Sequence, residues 1–173
     1  MAIDKIQSES INLADNFAFT GTVTGAGESN VPYFEAKSSS AVTFSSANTF
    51  YVGDISSVTL DTASGVDASN ERYTPNVAGK YYFAFNMTTY RSTGGASQDM
   101  LFSRIRKNGS TTLSEQSAVQ HHFGAGNTNH GGTHVSCVVD MNGSSDYVTF
   151  DGYCDESGGN FSVYARGFLI STT

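Results

Sequence analysis

The sequence is poor in charge and has no long apolar run. Only 14% of its 173 residues are charged, so disorder driven by charge repulsion is not expected. No apolar stretch is long enough to cross a membrane, and the first ten residues, MAIDKIQSES, lack the apolar core of a secretory signal. No segment shows capped helical periodicity. These absences favour one globular domain built from strands, with no membrane insertion.

Basic residues are scarce as well. The chain has nine Lys and Arg residues and sixteen Asp and Glu residues, so its formal net charge is −7. An acidic chain disfavours nonspecific binding to nucleic acid, which depends on phosphate neutralisation by cations. The one basic cluster is Arg104, Arg106 and Lys107, at the end of a predicted strand. It is interpreted either as a solvated strand end or as a source of ion pairs across a subunit interface.

Motifs of catalysis are missing too. The chain has no nucleophile elbow, no phosphate-binding glycine loop and no HExxH. Ser, His and Asp are all present, but their presence alone selects no mechanism. We therefore expect that the protein is not an enzyme and assign it no cofactor.

Cysteine is limited to Cys137 and Cys154. Both are expected on neighbouring strands of one hairpin, where they could lie near each other. In the absence of a secretory signal, buried thiols are favoured over a disulfide.

The most informative stretch is Tyr73–Met87, YTPNVAGKYYFAFNM, which passes through a turn and becomes a strand. Tyr81, Phe83, Phe85 and Met87 fall on one face of that strand, with Tyr82, Ala84 and Asn86 on the other. Large side chains on both faces indicate a sheet that is buried on one side and partly covered on the other.

Other segments show the same strand character, with Phe34 predicted to point inward. They are Pro32–Ala36, Ala41–Phe44, Thr49–Val52, Ser57–Asp61, Met100–Lys107, Val135–Met141, Tyr147–Tyr153 and Phe161–Ile170. The Asn108-Gly109 pair predicts a turn from Met100–Lys107 into a strand near Thr111–Leu113. Val135–Met141 is expected to pair with Tyr147–Tyr153 across the intervening Asn-Gly-Ser-Ser turn.

Four motifs in this order resemble the C1q/TNF-like jelly-roll family. They are Tyr73, Gly79-Lys80-Tyr81-Tyr82-Phe83-Ala84-Phe85, Lys107-Asn108-Gly109 and Gly167-Phe168-Leu169-Ile170. The resemblance covers roughly residues 32–173 and implies an all-β jelly-roll sandwich, with the domain placed at residues 28–173. It also implies a homotrimer whose interface includes Tyr82, Tyr164 and Phe168. An alternative use of exposed aromatics is sugar or partner binding, with Tyr81 or Tyr82, Tyr90, Tyr153 and Tyr164 as candidates.

Residues 1–27 differ from the rest of the chain. Ile11, Leu13, Phe17 and Phe19 alternate with polar residues, and a Gly-rich connector, TGTVTGAG, follows. INLADNFAFTGTVTGAG resembles the N-terminal segment of many structural proteins of tailed bacteriophages, especially marine ones. That resemblance implies a segment docking to the virion through these four apolar residues. The alternative is that they form the first strands of the domain.

Two sets of residues are weak candidates for metal binding. His121, His122, His130 and His134 lie in one glycine-rich region, which is interpreted as a metal site, a recognition loop or an ordinary polar loop. Proteins of the resembling family often bind calcium through loop carboxylates, and Asp61, Asp67, Asp155 and Glu156 lie in or near predicted loops. Neither a transition metal nor calcium is assigned.

Together these observations and resemblances predict a structural protein of a bacteriophage virion, made in the host cytoplasm. It would form a homotrimeric appendage, a head or tail fibre, attached to capsid, portal or tail through its N-terminal segment. A host-surface glycan or protein is a further expected partner. The alternatives are a capsid decoration protein that stabilises the shell and a secreted C1q-like binding protein.

Overall fold

A computed structural model describes residues 31–91, 100–119 and 129–172. These ranges form twelve strands: β1 (Tyr33–Lys37), β2 (Val42–Thr43), β3 (Thr49–Val52), β4 (Ser57–Asp61), β5 (Val66–Asp67), β6 (Arg72–Tyr73), β7 (Ala78–Arg91), β8 (Met100–Lys107), β9 (Thr111–Val119), β10 (Asn129–Asn142), β11 (Val148–Cys154) and β12 (Asn160–Thr172). They contain no helix that is long and apolar enough to cross a membrane. The predicted docking segment, including Ile11, Leu13, Phe17 and Phe19, lies outside the described residues, as do His121 and His122.

The strands form two antiparallel sheets. Sheet I has the order β10-β7-β12-β1-β4, with β2 on β12, and sheet II has the order β5-β6-β11-β8-β9, with β3 on β11. The predicted all-β jelly-roll sandwich is therefore confirmed.

The predicted alternation of the central strand β7 is also confirmed. Tyr81, Phe83 and Phe85 are fully buried between the sheets, while Tyr82 and Asn86 on the opposite side are half-exposed. β7 pairs with β10 on one side and with β12 on the other. β7 is therefore an interior strand of sheet I, with Tyr82 on the outer surface of that sheet.

Aromatic rings from both sheets fill the core. Phe34 of β1 stacks on Tyr73, with ring centroids 4.1 Å apart, and lies 6.1 Å from Phe150 of sheet II. Each fully buried side chain of this kind stabilises the fold by about 1.5–3 kcal/mol. Burial raises the pKa of the Tyr81 hydroxyl to about 12, and this hydroxyl donates a hydrogen bond to the Val77 carbonyl, 2.8 Å away.

At Gly167 the closing strand β12 packs closely against the aromatic core. A Cβ at this position would come 2.7 Å from the Phe34 ring and would also clash with Phe83. The next residues alternate, since Leu169 points into the core and Phe168 and Ile170 point out. The Gly-Phe-Leu-Ile motif thus contributes side chains both to the core and to the outer surface of sheet I.

The predicted Asn108-Gly109 turn is confirmed. Both residues adopt left-handed backbone conformations, with φ of 53° and 69°, which suits Asn and Gly in a tight hairpin. Asn108 also holds the neighbouring loop, because its side-chain oxygen accepts the Tyr147 N–H at 2.9 Å.

The predicted hairpin between Val135–Met141 and Tyr147–Tyr153 is wrong. β10 pairs with β7 in sheet I, whereas β11 pairs with β8, β3 and β6 in sheet II. The connecting turn carries the chain from one sheet to the other, and it is closed by Asn142, whose side-chain oxygen accepts three backbone N–H groups. A hairpin and a crossover between sheets both give strands of period two, so alternation does not distinguish them.

This crossover also separates the two cysteines. Cys137 lies in sheet I and Cys154 in sheet II, and both are thiols. Burial raises the pKa of the Cys137 thiol to about 11, so it is protonated and a poor nucleophile at neutral pH.

Candidate functional site

The outer surface of sheet I, which we call face I, carries an exposed apolar row. Val138, Tyr82, Phe168 and Tyr33 are neighbours across β10, β7, β12 and β1. Val138 is 59% exposed and Phe168 is 40% exposed, and the Phe168 ring is 5.3 Å from that of Tyr82. Ile170, 51% exposed, extends the row. A contiguous patch of this kind marks an interaction surface more often than a solvated one.

A hydrogen-bonded group lies beside the apolar row. The carboxylate of Glu35 accepts hydrogen bonds from the hydroxyls of Tyr164 and Tyr33, the latter at 3.2 Å. The bond from Tyr164 is the main cause that lowers the pKa of Glu35, with smaller contributions from Tyr33 and from the positive charge of Arg166. The Arg166 guanidinium also lies over the Tyr164 ring, 4.8 Å from its centroid. Face I thus combines apolar contact area with oriented polar groups, as subunit interfaces do.

All three residues predicted to form a subunit interface lie on face I. Tyr82 and Phe168 belong to the apolar row, and Tyr164, four residues before Phe168 on β12, is opposite Asn86 of β7. Their place on one surface agrees with the prediction. Their contact with a second subunit stays a prediction.

Two of the candidate histidines also lie on face I but do not converge. The His134 ring nitrogen Nδ1 is 2.7 Å from the Asn86 side-chain oxygen, and the His130 ring packs 5.3 Å from that of Tyr90. Being four residues apart on one strand, they are about 13 Å apart. Between them is a shallow hollow over Gly132. Within the described ranges no three His, Cys, Asp or Glu side chains are grouped to hold a metal ion.

Two of the four carboxylates considered for calcium, Asp61 and Asp67, have local partners. Asp61 accepts the backbone N–H groups of Gly65 and Val66 at 3.1 and 2.8 Å. Hydrogen bonds from Ser69 and Asn70, aided by the charge of Arg72, lower the pKa of Asp67 to about 2. These two carboxylates stabilise their own turns.

The outer surface of sheet II, which we call face II, places a buried carboxylate between two arginines. Asp151 of β11 is fully buried although its side chain points away from the core. Its Oδ2 atom is 3.0 Å from Nε of Arg104 and also pairs with Nε of Arg106. The arginine side chains are only 19% and 21% exposed. Two guanidinium groups therefore cover one carboxylate.

An aromatic cluster adjoins these arginines. Phe50, Phe102 and Tyr153 have ring centroids 5.0, 5.1 and 6.5 Å apart. The Arg104 guanidinium lies 3.5 Å over the Phe50 ring, a cation–π contact. The Tyr153 hydroxyl donates a hydrogen bond to the Asn48 side chain at 2.7 Å. Tyr153, one of the predicted sugar-binding aromatics, thus belongs to a larger group.

The basic cluster of the sequence is therefore used within the chain. Lys107 pairs with Asp146 at 2.7 Å and donates to the Asp140 carbonyl at 2.6 Å. A fully solvated strand end does not describe these three mostly covered side chains, whereas ion pairs between subunits stay a prediction. Sequence reasoning missed Asp151, whose position opposite Arg104 appears only once β11 is paired with β8 instead of β10.

Known structures share this fold. The globular domain of zebrafish complement 1qA matches 83% of this chain and 99% of its own length, at 16% identity and a TM-score of 0.52. The vertex protein P5 of bacteriophage PRD1 matches 81% of this chain and 73% of its own length, at 15% identity and a TM-score of 0.55. No protein-family model and no curated protein sequence matches the chain. At these identities the similarity establishes the jelly-roll fold.

Proposed function

We propose that this chain is a structural protein of a bacteriophage virion that forms a homotrimeric surface appendage. Face I would join the subunits, and residues 1–27 would attach the trimer to capsid, portal or tail. Two observations support a phage origin: the fold is similar to that of a phage vertex protein, and the N-terminal segment resembles that of tailed-phage structural proteins. The proposed role is structural and not enzymatic.

The observation that carries the proposal is the exposed apolar row of face I. Val138, Tyr82 and Phe168 cross three adjacent strands, and burying them against a second copy would remove this apolar area from water. Because the copies are identical, the contact would be repeated around a closed ring. A ring of three copies would offer three identical attachment segments, which strengthens binding to a virion through avidity.

Removal of residues 1–27 tests the attachment. The shortened protein is expected to remain a soluble trimer that no longer joins particles, as measured by light scattering and by co-sedimentation with particles assembled without it. A narrower variant, Phe17→Asp with Phe19→Asp, should lose attachment in the same way. The matched connector variant, Thr20→Asp with Thr22→Asp, should keep it. If the shortened protein unfolds, these residues belong to the domain core and the docking role is wrong.

The similarity to a complement globular domain favours one other candidate, a secreted C1q-like binding protein. Such a protein would be exported and expected to join Cys137 to Cys154. Instead the two residues lie in different sheets as thiols. Thiol titration of the natively made protein in denaturant should therefore find two reactive groups per chain, whereas a count of zero would favour the secreted protein. A capsid decoration role differs from an appendage only in where the trimer binds, which the location of labelled protein on particles would decide.

A further inference from the structure

Strand β4 is an open edge of sheet I. It is the last strand in the order β10-β7-β12-β1-β4, and no described strand pairs with it on the far side. Its three central residues are all exposed, and two of them are the apolar residues Val58 and Leu60. The strand, Ser-Val-Thr-Leu-Asp, contains neither Lys nor Pro, which often protect such an edge from pairing. β4 is therefore a template for a further extended segment.

The side of β4 that faces the core is uncovered as well. The register between β1 and β4 shifts at a bulge, so that Leu60 is opposite Glu35 and Val58 is opposite Ala36. Since residues opposite each other share one side of a sheet, Leu60 continues face I and Val58 continues the core side. Ala36 is fully buried, whereas Val58 is 44% exposed. The core thus ends before β4, and Val58 contacts water.

The part of the chain that precedes the described residues joins the domain beside this edge. The carbonyl of Val31, the first described residue, accepts a hydrogen bond from the Thr62 hydroxyl at 3.2 Å. The oxygen of that hydroxyl accepts the N–H of Tyr33 at 2.9 Å. Thr62 directly follows β4. Residues 1–30 therefore lead into the domain at the C-terminal end of β4.

This preceding part contains an apolar pair and a connector long enough to reach β4. Phe17 and Phe19 are two residues apart, so they lie on one side of an extended segment. Residues 20–30 connect Phe19 to Val31, and eleven extended residues span up to about 36–40 Å. A five-residue strand is about 17 Å long, and its neighbour lies about 5 Å away. The pair can therefore be placed anywhere along β4 of its own chain.

We propose that the segment around Phe17 and Phe19 pairs with β4 of the same chain as an added edge strand of sheet I. Its backbone would form hydrogen bonds with the open edge, as extended peptides do when they extend a sheet. The two rings would lie on the core side and cover Val58, which removes apolar surface from water. Ile11 and Leu13, further from the domain, would remain available for another contact.

The inference rests on the proposed attachment role and divides the docking segment into two parts. Phe17 and Phe19 hold the segment on the domain, and Ile11 and Leu13 contact capsid, portal or tail. A segment that is already held in place loses less conformational freedom on binding than a free one, which favours attachment. Each subunit of a trimer would present the same pair of contact residues.

Hydrogen–deuterium exchange of the full-length protein, followed by mass spectrometry, tests the pairing. Phe17→Asp with Phe19→Asp should make backbone amides in Ser57–Asp61 exchange about tenfold faster or more, because the edge of β4 is then open. The matched control, Ile11→Asp with Leu13→Asp, carries the same change outside the paired segment and should keep the slow exchange. Equal exchange in the original protein and the Phe variant, whether fast or slow, would overturn the inference.

Cysteine cross-linking identifies which chain occupies the edge. Val58→Cys combined with Phe17→Cys or with Phe19→Cys should form a disulfide within one chain under mild oxidation. Val52→Cys is the matched control, since Val52 is 36% exposed but lies on face II, and it should not link to either position. A link between two chains would assign the edge to a neighbouring subunit and overturn the pairing within one chain. No link from Val58→Cys to either position would overturn it as well.

The outcomes separate this inference from the proposed function. If the Phe variant no longer joins particles although its β4 exchange is unchanged, the pairing alone is wrong. If β4 exchange depends on Phe17 and Phe19 but the full-length protein never joins particles, the attachment role alone is wrong. Loss of attachment in Ile11→Asp with Leu13→Asp, with slow β4 exchange retained, would support both.

Discussion

Faces I and II are both outer surfaces of one sandwich, yet they place apolar and charged groups in opposite ways. On face I, apolar side chains such as Val138 and Ile170 are exposed. On face II, the charged Asp151 is completely buried, beneath arginines that are themselves mostly covered. Exposed apolar area is unfavourable in water, whereas the buried charges of face II already have partners. This difference favours face I over face II as the proposed subunit interface.

The local chemistry of the two faces explains this contrast. Sheet I presents a row of four apolar or aromatic side chains with the Glu35 group beside it. Sheet II presents Arg104 and Arg106 directly beside the carboxylate of Asp151 on the next strand. The low exposure of all three groups strengthens their attraction, although it also raises the cost of removing any one of them.

The largest expected effect concerns assembly. Phe168→Arg on face I should convert a trimer to a monomer, because a charge would be buried in the subunit contact. The measured mass should fall to the single-chain value of 18.4 kDa in light scattering at micromolar concentration. Met100→Arg is the matched control on face II, since Met100 is 45% exposed and Phe168 is 40% exposed. If Met100→Arg dissociates the trimer and Phe168→Arg does not, the subunits meet through face II and the proposed interface on face I is wrong.

An effect of intermediate size concerns stability. Asp151→Ala leaves two mostly buried guanidinium groups without their carboxylate and should lower the free energy of unfolding by about 3 kcal/mol. Asp140→Ala breaks an ion pair that is exposed on face I and should cost less than about 1 kcal/mol. Urea unfolding of both variants provides the comparison. Equal losses would mean that the face II carboxylate is no better shielded from water than the exposed pair.

The smallest effect appears in acid. The pKa of Asp67 falls from an ordinary 3.8 to about 2 in the folded chain, so its contribution to stability is present above about pH 4 and is lost as the pH falls toward 2. Asp67→Asn should flatten the decline of the thermal midpoint across this window. The contribution is small because the group is exposed to solvent. Parallel curves for the two proteins over pH 5 to 2 would contradict the expected linkage.

Local patterns predicted much of the fold. The alternation in Tyr81–Met87 depends on the period of a strand, and the Asn108-Gly109 turn depends on the backbone freedom of those two residues. Both are properties of short segments, so the sequence alone was sufficient. The same alternation placed Tyr82 and Phe168 on an outer surface, where the structure has them. Their role in a subunit contact is still a prediction.

The arrangement of Asp151, Arg104 and Arg106 on face II could not be predicted from such local patterns. A strand has the same alternation whichever sheet it joins, so alternation could not identify the partner of β11. The sequence analysis paired β11 with β10, whereas in the structure β11 pairs with β8. That one choice of partner decides whether Asp151 faces Arg104 or solvent, because ion pairs between strands depend on register and not on nearness in the chain.

By itself, then, the sequence determined the all-β class, most of the strands and the side of β7 that is buried, since these follow from residue type and spacing within a few residues. Only the tertiary structure decided the division of strands between two sheets, the separation of Cys137 from Cys154, and the burial of Asp151 under two arginines. These three features depend on contacts between residues that are distant in the chain. Such contacts are stabilised by packing between strands, which the local spacing of residues does not encode.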